Sequence, residues 1–126
     1  MNKSDILNNI TIAFSGYNIK DFAILAIESF LLLNPDMRKN IVYFDDESTD
    51  GTKEELESRG IRVITWLPEI IEERNKYDKE VEILFGCPQK TTPERVSFIN
   101  KCIRNTADIF SFINCESSSC PFFFNF

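Results

Sequence analysis

The chain has 126 residues, 43% of them hydrophobic and 27% charged, which is the composition of one ordinary globular domain with length enough for a single core. A net charge of -6 without any basic run lacks the electrostatic footprint of a nucleic-acid binder, so nucleic acid is excluded as an expected partner. The opening MNKSDILNN has no signal-peptide core, and no apolar stretch reaches the roughly 18 residues of a membrane span, so a cytoplasmic protein without a membrane span is expected.

Residues 10 to 15, ITIAFS, read as a buried strand that runs into small and polar residues and a tyrosine, GYN. The segment 20 to 33, KDFAILAIESFLLL, is apolar around more than half its circumference and is expected to be a buried helix. Asn18 is placed to cap it, Asp21 puts a carboxylate in its first turn where the dipole favours one, and Asn34-Pro35 stops it. A second strand, IVYF at 41 to 44, leads at once into DDESTDGT. Thr52 and Glu55 have capping-box spacing for a short helix, KEELESR, ended by Gly60. IRVITW at 61 to 66 alternates like a third strand. Helical patterns follow over 68 to 80 and 93 to 106, with Val96, Ile99 and Ile103 on one face of the second, and IFSFIN at 109 to 114 reads as a fourth strand.

This alternation predicts one α/β domain over residues 1 to 126, a three-layer arrangement of a mostly parallel sheet with helices on both faces. The last stretch, CESSSCPFFFNF at 115 to 126, fits neither a capped helix nor an alternating strand. It is expected to be an atypical tail, the product of truncation or a frame error, on an incomplete domain, with the fold's own C-terminal strand as the alternative. Cys87, Cys102, Cys115 and Cys120 form no CxxC pair, so four reduced thiols are expected.

In open α/β sheets ligands collect outside the carboxyl ends of the strands, so the polar ends of the first two strands are the expected nucleotide pocket. Adjacent strand residues face opposite ways, so Asp45 and Asp46 are not expected to act as an acid/base pair; one of them should be structural, or anchored to the turn. The same run also supports two other readings. Asp46, Ser48, Asp50, Gly51 and Glu57 have calcium-loop spacing, although IVYF is strand-like where a helix should precede, and Lys53 holds a normally apolar position. More plainly, Asp, Ser, Thr and Gly are turn and cap residues wherever a loop enters a helix.

Together these segments resemble the N-terminal, nucleotide-binding half of family-2 glycosyltransferases, which have the GT-A fold, a Rossmann-like fold. Ser15, Gly16, Tyr17 and Asn18 match the segment that ends the family's first strand, and Asp45, Asp46, Ser48, Asp50, Gly51 and Thr52 match its DD-x-S-x-D-G-T signature. The resemblance covers about residues 8 to 114. It implies transfer of a sugar from a nucleotide-diphosphate donor, a UDP-sugar, to a saccharide or similar acceptor by direct displacement at the anomeric carbon. Tyr17 would stack on the base, Asp46 would accept a hydrogen bond from it, Ser15 would lie beside it, and Arg95 matches a basic position near the donor. The family's Asp-x-Asp, which holds Mn²⁺ or Mg²⁺ against the diphosphate, falls on Asn114, Cys115 and Glu116. With one carboxylate left there, metal is expected to help UDP binding only slightly. The family's general base lies beyond that motif, so no catalytic residue is assigned. The chain alone is expected to bind nucleotide without transferring sugar and, with apolar faces uncovered, to self-associate. The alternative expectation is a non-catalytic nucleotide-binding or interaction module of the same fold.

Overall fold

A computed structural model of the chain describes residues 10 to 106 and the backbone of residues 123 to 125. In chain order it contains β1 (Ile12–Gly16), α1 (Lys20–Leu33), a 3-10 turn (Pro35–Asn40), β2 (Ile41–Asp45), α2 (Thr52–Ser58), β3 (Arg62–Ile64), α3 (Pro68–Phe85), α4 (Pro93–Thr106) and β4 (Phe123–Asn125). The strands form one parallel sheet in the order β3-β2-β1-β4. The result is an α/β fold. Among the described residues no helix is long and apolar enough to cross a membrane.

The two-residue period of the strands sorts their side chains into two cores, one on each face of the sheet. Ile12, Phe14, Ile41 and Tyr43 join Ala23, Ile27 and Leu31 of α1 and Leu56 of α2. Ala13 and Phe44 point the other way, into a cluster with Trp66, Ile70 of α3, and Phe98, Ile99, Cys102 and Ile103 of α4. Val42 is buried on that same side of β2. Parallel strands covered on both faces read as continuous apolar runs, which is why IVYF shows no alternation of its own.

Several expectations are corrected here. Asn18 does not cap α1: it adopts φ 49, the N-cap position is Ile19, and no N-cap side chain bonds to the helix. The capping box of Thr52 and Glu55 does not form either, because Gly51 takes the N-cap position at φ 84 and Thr52 lies inside the first turn. α1 is buried along the narrow stripe of Ala23, Ile27 and Leu31, while Phe22, Leu25, Leu32 and Leu33 are exposed. β3 is shorter than its pattern and α3 longer, running to Phe85 before Gly86 at φ 76 ends it. Residues 123 to 125 pair with β1 as a parallel strand, as the alternative reading of the last stretch expected. The expected strand at 109 to 114 and the expected metal positions Asn114 and Glu116 lie outside the described residues.

Candidate functional site at the carboxyl ends of β1 and β2

β1 and β2 pair from Ile12 opposite Ile41 to Gly16 opposite Asp45, so the two strands end level with each other. The ladder continues one step, with Asp46 N–H donating to Gly16 O at 3.0 Å. Tyr17 and Asp46 are thus the first residues to leave the sheet, side by side. Each is followed by a residue with left-handed backbone, Asn18 at φ 49 and Glu47 at φ 58. Asn tolerates that conformation, but for Glu it carries a cost on the order of 1 kcal/mol. Both residues are tied by contacts: the Glu47 carboxylate accepts a hydrogen bond from Arg74, and Asn18 is held by Thr49 N–H donating to its Oδ1 at 2.7 Å and by its own N–H donating to Ser48 Oγ at 2.9 Å.

The acidic run divides into two jobs. Asp45, on the α1 face, accepts from Ser48 N–H at 3.2 Å and closes the turn. Asp50 accepts from Lys20 N–H at 3.0 Å and from Thr52 N–H at 3.1 Å, so one carboxylate holds the starts of both α1 and α2. Burial works against the Asp50 charge, but the hydrogen bonds from Thr52 and Lys20 win and hold its carboxyl below the usual range. Asp45 is moved the other way: burial, with Asp50 and Asp46 adding to it, pushes its carboxyl up against the Ser48 hydrogen bonds, and its Oδ1 has no partner among the described residues. The buried Tyr43 hydroxyl on the same face also has no partner among the described residues, and burial, with Asp45 adding to it, pushes its pKa up. The calcium-loop spacing does not converge: Asp46 and Asp50 bind different partners, Glu57 is exposed on α2, and a strand precedes the run.

Asp46 turns to the opposite face, where it is 5% exposed. Its Oδ1 accepts from Trp66 Nε1 at 2.8 Å and its Oδ2 from an Arg95 guanidinium nitrogen at 2.6 Å. Arg95, 3% exposed, also donates to both oxygens of Asp78, at 2.9 and 3.1 Å. Burial opposes the guanidinium charge, but the Asp78 and Asp46 carboxylates outweigh it and push the pKa further up. The guanidinium carbons of Arg74 and Arg95 lie 4.8 and 5.1 Å from the Trp66 ring centre, so the indole that bonds Asp46 is itself held by two cations.

Beside this ion pair lies a pocket of about 170 Å³, lined by the polar Ser15, Tyr17, Asp46 and Lys90 and the apolar Phe44, Val96 and Ile99. Gly16 forms part of its wall, and a Cβ there would run into the Ile19 side chain and the Tyr43 hydroxyl. Comparison with family models, curated proteins and solved structures finds no match for this chain. An ionised carboxylate offers about four acceptor directions. With two taken by Trp66 and Arg95, two remain, and the Lys90 ammonium lies 3.7 Å from Oδ2, so the pocket combines a carboxylate and its neighbouring cation with an aromatic ring and apolar side chains.

Of the residues expected at the site, Ser15, Tyr17 and Asp46 come together around the pocket. Arg95 comes to the same place but behind Asp46, as its ion-pair partner rather than as a wall of the pocket. Among the described residues no group of three or more His, Cys, Asp or Glu side chains is placed to hold a metal. Lys90, Trp66 and Asp78 were not expected. Trp66 lies just beyond β3, so the strand-end rule that selected Tyr17 and Asp46 also covers it. Lys90 sits in the connection between α3 and α4, where no periodicity or motif marks it.

Proposed function

We propose that this domain binds a pyrimidine nucleotide, the UDP part of a nucleotide-diphosphate sugar, as the donor-binding half of a GT-A-like, three-layer glycosyltransferase. The observation that carries the reading is the convergence of Ser15, Tyr17 and Asp46, from the ends of neighbouring strands, on one pocket of about 170 Å³. A dry cavity of about 150 Å³ accommodates one six-membered ring. The pocket therefore has volume for a six-membered ring, with ribose and diphosphate outside it. The carboxylate of Asp46 accepts hydrogen bonds only, which favours the N3–H of uracil over the N3 acceptor of cytosine. Stacking on Tyr17 would add about 1–3 kcal/mol with little base preference. Ser15 presents a small hydroxyl beside the ring. The family's acceptor glycosylation, and a divalent cation held with Glu116, belong to the proposal by resemblance.

One observation favours a plainer reading: Asp46 is already bonded to Trp66 and Arg95, as a purely structural buried carboxylate would be. Calorimetric titration separates the two. UDP should bind about tenfold or more tightly than CDP, the weight of one hydrogen bond to a charged group. Asp46→Ala should abolish that preference and Asp45→Ala should leave it. Equal affinity for UDP and CDP, or a preference indifferent to Asp46, would reduce Asp46 to a structural ion pair.

A further inference from the structure

The Lys90 ammonium lies 4.1 Å from the centre of the Tyr17 ring and 3.7 Å from Asp46 Oδ2. Those are the two groups assigned above to the base, a ring face to stack on and a carboxylate to accept a proton donor. Within the chain itself, Lys90 makes both contacts that a uracil would make. A base that stacks on the face of Tyr17 that Lys90 covers, and bonds Asp46 Oδ2, must move the ammonium aside. The two cations on Asp46 differ in how readily they can move. Arg95 is 3% exposed and anchored by Asp78, whereas the Lys90 side chain is 39% exposed and makes no other ion pair among the described residues. Displacement therefore falls on Lys90.

We propose that Lys90 makes this pocket select phosphorylated nucleosides over bare ones, an inference that rests on the base-pocket reading. A nucleoside must expel the ammonium from Tyr17 and Asp46 and brings no anion to receive it. A nucleoside diphosphate carries its own negative charge to the mouth of the pocket, within the sweep of a flexible four-carbon side chain. The displaced ammonium regains a counter-charge in the second case and goes to water in the first. Lys90 thus acts against uridine and for UDP through the same atom.

The test is titration of wild type, Lys90→Met and Lys90→Arg with uridine and with UDP, by calorimetry and by the fluorescence of Trp66, the single tryptophan of the chain. Lys90→Met keeps the stem and removes the charge. Uridine should bind Lys90→Met about threefold more tightly, the weight of one exposed cation–π contact, and UDP about threefold more weakly, so the preference for UDP over uridine falls about tenfold. Lys90→Arg should keep most of that preference. A variant that only damaged the fold would weaken both ligands together. That result, or an unchanged ratio between the ligands, overturns the proposal. If UDP binds in an Asp46-dependent way yet the ratio ignores Lys90, the base pocket stands and the selectivity role alone is lost. If neither ligand binds wild type or Lys90→Met, the base pocket falls and takes the Lys90 role with it.

Discussion

Asp45 and Asp46 are identical side chains in adjacent positions, and the strand period alone sends one into a turn and the other into a pocket. Asp46 and Arg95 are then buried together, at 7% and 3% side-chain exposure. Such a pair adds little net stability compared with an apolar pair of the same volume, because desolvation offsets the attraction, but losing one partner leaves an uncompensated buried charge. Arg95→Met should therefore destabilise the domain by about 3–5 kcal/mol in urea unfolding, and Asp46→Asn in that background should restore part of the loss. A cost below about 1 kcal/mol would mean that water already reaches the pair. Ser15, Tyr17 and Asp46 were legible because each stands at or just beyond the end of an apolar run. Lys90 was not, because a flexible cation in a loop carries no local signal of the ring it covers.

The helices begin where another element lets them begin. Asn18 and Thr52 are good capping residues by type, yet Asp50 supplies the acceptor for Lys20 N–H and Thr52 N–H, from a loop 30 residues after α1 starts in the first case. Intrinsic capping preference is local, and a carboxylate brought across by strand pairing displaces it. Because the folded carboxyl of Asp50 is held below its usual range, its contribution is complete above the unfolded value of about 3.9 and is lost as pH falls through the lowered folded value. Asp50→Ala should cost about 1–2 kcal/mol at neutral pH, and hydrogen exchange should show earlier opening at the first turn of α1. Stability curves of mutant and wild type should converge below the ordinary carboxylate range. Curves that stay parallel into acid would remove Asp50 from this role.

At the scale of the molecule, the sheet separates two cores that share its strands and little else. Ile27 of α1 and Ile103 of α4 are each 1% exposed, on opposite faces. Either residue changed to Ala should cost about 2–5 kcal/mol from lost burial and the cavity left behind. The two costs should add to within about 0.5 kcal/mol, since the residues belong to different clusters on opposite faces of the sheet. Against a total stability of about 5–15 kcal/mol, the double variant should approach unfolding in a single urea transition. Two separate transitions would show that the faces fold as independent units.

The amino-acid sequence by itself determined the α/β class, the order of the described elements from β1 to α4, and the two strand ends that make the pocket, because apolar period and run length are properties of neighbouring residues. The tertiary structure decided which face of α1 is buried, which carboxylate caps which helix, that residues 123 to 125 add a strand beside β1, and that Arg95 and Lys90 share Asp46. Apart from the local bond of Asp50 to Thr52, each of these depends on atoms far apart along the chain. They meet only after the strands have paired in register, and nothing in the local sequence records which distant partner will arrive.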